Sequence, residues 1–214
     1  LDQAEGAYAR LLQTVRGGAR RVPILQDVAA LRAERGDLDG EISAMREVVE
    51  LLGAGAGATE PRRTLARLLV QRTRARTQGK SEQEEAYDDD TREAARTLAS
   101  IAREGVTGRS MDFAQAALAL WPGEERAFQM VLAGTLKHAE SVTLRIRFLA
   151  ANPESAIAAR VRGELADAYV STGRVDDAVA VLAASATEDP ESAPCTRRSR
   201  STSGAGGVLG GGGS

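Results

Sequence analysis

The sequence predicts an all-α solenoid of about five antiparallel helix pairs, for three reasons. Alanine, leucine, arginine and glutamate dominate the composition and only 3% of residues are aromatic, which favours closely packed helices over sheets. Apolar residues recur at helical spacing between breaks at glycine and proline. A pentapeptide with one Asn/Asp change begins at Asn152 and again at Asp189, 37 residues later. Repeats of that length are typical of stacked helical hairpins.

The segments between these breaks predict ten helices in order. Pro23 is expected in the first turn of the second helix. Asp37 or Asp39 caps the third, Asp90 with Glu93 forms a capping box for the fifth, and Ser110 caps the sixth. Short connections make consecutive helices antiparallel. The predicted helices cover residues 4–15, 22–35, 38–52, 61–77, 90–103, 111–120, 124–137, 141–151, 154–172 and 175–187.

The chain divides into a helical domain over residues 1–192 and a tail over residues 193–214. The helical domain is irregular in its middle, with a flexible connector over residues 53–59 and a mobile acidic loop over residues 79–89. The tail is rich in glycine and serine and is expected to be disordered. Its last five residues, Gly-Gly-Gly-Gly-Ser, have the form of a flexible linker, so a non-native linker, an altered reading frame and a natural low-complexity tail all stay open.

Residues 161–190 resemble a tetratricopeptide repeat, and residues 28–48 resemble it more weakly. The first copy departs from the family pattern at Arg162 and Ser185. The matching residues are Leu165, Ala166, Tyr169, Gly173, Ala178, Leu182 and Pro190 in the first copy, and Val28, Ala29, Gly36, Ala44 and Met45 in the second. Gly36 and Gly173 lie 137 residues apart, about four repeats of 34, which predicts one continuous register.

The resemblance implies a right-handed superhelix in which Tyr169 and Leu182 are buried between helices. It also implies that the first helix of each pair lines a concave groove that holds a peptide or a partner helix. The corresponding positions here are Gln26, Ala30, Ala33, Arg160, Gly163, Asp167 and Val170. The Asn- and Lys-rich clamp with which some family members grip a C-terminal carboxylate is absent, so a chaperone-tail receptor is disfavoured.

The function predicted from these features is a non-catalytic scaffold for protein–protein interaction. The alternative is a sensor or regulatory arm of a larger signalling or transcription-regulating protein. Each hairpin packs only on its neighbours and leaves one concave surface open, which suits both roles. The unfinished ends of the array also allow self-association. Trp121 is expected to be a buried wedge between hairpins, with an exposed interface anchor as the alternative.

Other function classes find little support in the sequence. The net charge of −2 gives no field to attract nucleic acid, and no apolar run reaches the length of a membrane span. The arginines between Arg62 and Arg76 and the acidic run up to Asp90 are expected to form hydrated surfaces that attract each other weakly.

Cys195 lies in the tail and His138 at a helix end, so neither predicts a metal site, a cofactor site or an enzyme. The chain begins at Leu1 without a methionine, which indicates a truncated start. The cytoplasm is favoured as the compartment, and the periplasm stays open.

Overall fold

The computed structural model of the chain describes residues 2–77, 87–105 and 109–188. These residues form an all-α solenoid without strands, as predicted. The predicted tail, Cys195 and residues 79–86 of the acidic loop lie outside the described residues. The helices are α1 (Asp2–Thr14), α2 (Gly18–Glu34), α3 (Leu38–Leu52), α4 (Thr59–Thr77), α5 (Asp89–Glu104), α6 (Ser110–Leu120), α7 (Glu125–Gly134), α8 (His138–Ala151), α9 (Ala158–Ser171) and α10 (Val175–Glu188), with a 3₁₀ turn at Ala56–Ala58.

The helices stack in sequence order. Each described helix packs on the helices that precede and follow it. Among the described residues, α5 also packs on α7 across α6, and Arg46 of α3 forms an ion pair with Glu93 of α5 across α4. Packing mainly between sequence neighbours is the rule of a solenoid.

The core is continuous although it has three sections. The first joins α2, α3, α4 and α5, the second joins α5 to α9, and the third joins α8, α9 and α10. Leu98 and Leu120 pack against both of the first two sections. Phe128 and Phe148 stack at the centre of the second, with ring centroids 4.3 Å apart. Trp121 is buried there, which confirms its predicted place as a wedge.

The prediction of one continuous register is wrong. α2 and α9 begin the two hairpins that carry the predicted repeat copies, and α9 is the seventh described helix after α2. Four equal hairpins would make it the eighth, so the described helices contain one helix fewer than that register requires. The distance between Gly36 and Gly173 therefore does not represent four equal repeats. The right-handed twist implied by the resemblance stays a prediction.

Several helix starts also differ from the predicted ones. α2 begins at Gly18, so Pro23 lies inside the helix, where it leaves the carbonyl of Ala19 without its helical partner. The side chain of Asp88, not Asp90, caps α5 by accepting a 2.8 Å hydrogen bond from the Thr91 N–H. His138 begins α8, so it does not lie beside terminal carbonyls as expected.

The last described hairpin confirms one half of the burial prediction and contradicts the other. Tyr169 is 7% exposed and packs with Leu165, Ala166 and Ala178, as expected. Leu182 is 50% exposed, so its predicted burial is wrong. Its helix, α10, is the last one that the structure describes, and no described residue covers its outer face.

Candidate protein-binding surface

Helix α4 carries two sets of arginines on different faces. A helix turns about 100° per residue, so Arg62, Arg72 and Arg76 point to one side. Arg63, Arg67 and Arg74 point to another. The first set binds neighbouring helices, whereas the second set borders an open groove.

Arg72 links α4 to both α3 and α5. Its guanidinium donates two hydrogen bonds of 2.6 Å to the carboxylate of Asp90 and one of 2.6 Å to Asp39. Arg72 and Asp90 are both largely shielded from solvent, and the hydrogen bond from Arg72 lowers the pKa of Asp39. The prediction of a hydrated surface is therefore wrong for Arg72 and Asp90, because the acidic start of α5 packs on α4.

Arg62 anchors the turn between α3 and α4. It donates hydrogen bonds to the carboxylate of Glu104 and to the Gly53 carbonyl, and the Gly55 N–H donates to the same carboxylate at 3.1 Å. The hydrogen bond from Arg62 is the main reason that the pKa of Glu104 is lowered. The glycine-rich connector, predicted to be flexible, is thus held at both of these glycines.

The second set of arginines edges an open groove of about 690 Å³ between α4, α5 and α6. Arg63 pairs with Glu60 at 2.9 Å on the surface. Arg67 lies near enough to Glu41 to oppose the rise that burial causes in the pKa of that carboxyl. The floor of the groove is apolar and consists of Ala66, Val70, Leu98 and Leu120, and its edge consists of Arg63, Arg67, Gln71, Arg74 and Ala75.

A smaller depression of about 280 Å³ adjoins this groove between α2, α3 and α4. It contains two of the predicted groove residues, Gln26 and Ala30, and both are exposed. Glu41 and Glu60 line the depression, and they face Arg67 and Arg63 of the groove. The two concavities therefore form one surface, which we call the α2–α6 surface.

The predicted stripe on α2 corresponds to the stripe on α4. Gln26, Ala30 and Ala33 lie 37 residues before Arg63, Arg67 and Val70, respectively. The residue that precedes each position is buried, except for Arg32, which is partly buried. The α4 stripe was not predicted, because all arginines of this helix were assigned to one charged surface. Their helical spacing separates them into two.

The structure places the remaining predicted residues elsewhere. Arg160, Asp167 and Val170 are exposed on α9, and Gly163 is partly buried. Arg160 pairs with Glu164 of the same helix at 2.7 Å. None of the four lines the groove or the depression described above. The α9 residues and the α2 residues are therefore separate candidate contacts.

The described residues contain neither a candidate metal site nor a candidate membrane span. Within residues 2–77, 87–105 and 109–188, no three His, Cys, Asp or Glu side chains are grouped so that they could hold a metal ion. No helix in this part of the chain is long and apolar enough to cross a membrane. His138 is exposed at the start of α8.

Comparison with known proteins gives a distant structural similarity. No family model matches the sequence, and no curated protein sequence matches it. A solved structure titled "Crystal structure of MamA protein" is similar at 16% sequence identity with a TM-score of 0.36, over 80% of this chain and 93% of that one. A similarity of this size decides neither the family nor the function of the chain.

Proposed function

We propose that the protein is a non-catalytic scaffold that binds a peptide or a partner helix on the α2–α6 surface. The observation that carries this proposal is the groove on α4, which combines an open apolar floor with an arginine edge. Contiguous exposed apolar surface with a polar border is typical of protein-binding sites. The alternative role, as a regulatory arm of a larger protein, requires the same surface and stays a prediction.

The dimensions of the groove suit a helix or an extended peptide. From Arg63 to Arg74 the groove follows α4 for about 16 Å, at 1.5 Å per residue, which is three helical turns. A partner helix presents apolar residues at the same spacing and can place them on Val70, Leu98 and Leu120. The arginines then lie beside the ligand, where they favour acidic side chains.

Two of the predicted residues on α2 line a concavity, whereas the predicted residues on α9 line neither the groove nor the depression. Gln26 and Ala30 belong to the depression that adjoins the groove, so a ligand longer than three turns would extend over them. Ala33 is exposed further along the same helix. Arg160, Gly163, Asp167 and Val170 remain a proposed second contact region on α9.

The proposal is tested by selecting binders from a displayed library of helical peptides. The variants Arg67→Glu and Gln71→Trp change the edge of the groove at exposed positions and leave its core contacts in place. Arg10→Glu and Gln13→Trp are matched controls, because both residues are exposed on α1. Gln26→Trp measures the contribution of the α2 depression.

We expect the selected peptides to bind the two groove variants at least about tenfold more weakly than the wild type, a loss of about 1.4 kcal/mol. The α1 controls should bind as the wild type does. If the selected peptides bind Arg67→Glu and Gln71→Trp with unchanged affinity, the groove is not the binding site. If the library contains no peptide that binds, the proposed function is wrong.

A further inference from the structure

Helix α10 has an apolar face without a partner among the described residues. Val175, Val179 and Leu182 lie at positions i, i+4 and i+7, so they form one stripe. They are 55%, 60% and 50% exposed. Single exposed apolar residues are common, but three on one face of a helix mark an interaction surface.

All charged residues of α10 are acidic. The helix contains acidic residues and neither lysine nor arginine. Asp176 and Asp177 occupy its first turn; Asp177 pairs with Arg174 at 2.6 Å, whereas Asp176 is exposed and forms no ion pair with a described residue. α10 is thus an acidic helix with an exposed apolar stripe, the type of ligand that the groove on α4 favours.

The stripe is short enough for the groove. From Val175 to Leu182 it extends about 10 Å along its helix at 1.5 Å per residue, and this lies within the length of about 16 Å over which α4 borders the groove. The arginine edge can accept Asp176 while the valines lie on Val70, Leu98 and Leu120. Burial of apolar surface and attraction between opposite charges would then both stabilise the contact.

The apolar stripe of α10 cannot reach the groove on α4 of the same molecule. The inner face of α10 packs on α9 through the buried Ala178, and α7, α8 and α9 separate α10 from the helices that form the groove. We propose that α10 of one copy docks into the α4–α6 groove of a second copy. This inference rests on the proposed function, since it names the occupant of the same groove.

The proposed contact is head-to-tail, because it joins different surfaces of the two copies. Such a contact does not close with two subunits, so larger assemblies form as the concentration rises. Sedimentation velocity of the purified chain over a concentration series should show this growth. Arg67→Glu reverses a charge at the edge of the groove, and Val179→Glu places a charge within the apolar stripe. Each variant alone should sediment as a monomer. Arg10→Glu should assemble as the wild type does.

A mixture of the two variants provides the decisive measurement. Arg67→Glu retains an intact α10 and Val179→Glu retains an intact groove, so an equimolar mixture should form a dimer of one copy of each and grow no further. Both substitutions are at exposed positions, and circular dichroism verifies the fold. Leu182→Glu replaces Val179→Glu if that variant loses helicity.

Three results would overturn the inference. The wild type stays monomeric at every concentration, Val179→Glu assembles as the wild type does, or the mixed variants fail to form a dimer while each is folded. Assembly that Val179→Glu abolishes and Arg67→Glu leaves intact would indicate a symmetric contact between two α10 helices instead. If the wild type is monomeric but selected peptides still bind the groove, the proposed function stands without this inference.

Discussion

Arg72 and Asp90 face each other across the contact between α4 and α5, joined by two parallel hydrogen bonds of 2.6 Å. The side chain of Arg72 is 14% exposed and that of Asp90 is 7% exposed. A bidentate pair of this kind is strong and fixes orientation. It aligns two of the three helices that form the groove, so the packing face of α4 determines where the face that borders the groove points.

Arg72→Met should destabilise the protein by about 3 kcal/mol, because it leaves the carboxylate of Asp90 buried with only the longer contact from Arg76. The measurement is urea-induced unfolding followed by circular dichroism. Arg63→Met is the matched control on the same helix; its exposed pair with Glu60 should contribute less than about 1 kcal/mol. Equal losses for the two variants would show that burial does not distinguish these pairs.

The stability of the α4–α5 contact should fall in acid. Hydrogen bonding by Arg62 holds the pKa of Glu104 below its ordinary value of 4.5. A carboxyl with a lowered folded-state pKa stabilises the fold above its unfolded value, and this contribution disappears as the pH falls through the folded-state pKa. We expect the melting temperature of Glu104→Gln to vary less with pH than that of the wild type below about pH 4.5. A wild-type slope retained in Glu104→Gln would show that other carboxyls carry the acid sensitivity.

Glu124 should show the opposite pH dependence. This side chain is buried and caps α7 by accepting a 2.6 Å hydrogen bond from the Ala127 N–H. Burial is the main cause of its raised pKa, so its contribution is largest below the unfolded value and declines as the pH rises through the folded-state pKa.

Glu124→Gln removes the buried charge and keeps an oxygen that can accept the Ala127 N–H. The variant should therefore be at least as stable as the wild type at pH 7, by thermal unfolding. Glu124→Ala, which also removes the cap, should lose about 1 kcal/mol. A Glu124→Gln variant less stable than Glu124→Ala would contradict this explanation.

The parts of the fold that the sequence predicts well depend on local interactions. α3 has the predicted bounds, because Asp37 caps its start and Gly53 ends it. Pairing of Arg72 with Asp90 was not predictable from local pattern, since the partners belong to different helices joined by a long connection. The exposure of Leu182 depends on what packs outside α10, which helical spacing does not encode.

The candidate surface was predictable in part. The repeat pattern of α2 identified Gln26 and Ala30 as outward positions, and both line the depression; their part in binding stays a prediction. The corresponding stripe on α4 has no matching motif, and its position follows only from the buried residues beside it. The α9 positions line neither the groove nor the depression. A repeat pattern therefore identifies faces of helices, whereas packing decides which faces meet.

Damage to the core at Tyr169 should stay local within the solenoid. Tyr169 is buried in the third core section, and the guanidinium of Arg174 lies 4.5 Å from its ring centroid. Tyr169→Ala should cost about 3 kcal/mol, at the lower end of the range for buried aromatic residues, because this end of the described array can partly collapse. Leu182→Ala is the matched control on the same hairpin and should cost less than about 1 kcal/mol, since the side chain is already half exposed.

Hydrogen exchange distinguishes a local effect from a global one. In a stack held by contacts between neighbours, Tyr169→Ala should speed exchange in α9 and α10 while the amides of α2 and α3 keep their protection. Phe128→Ala provides the comparison, because Phe128 stacks on Phe148 in the section that joins α5 to α9. Phe128→Ala should speed exchange both in the helices before α7 and in those after it. Uniform loss of protection in Tyr169→Ala would show that the described helices unfold as one cooperative unit, and that stability is not distributed hairpin by hairpin.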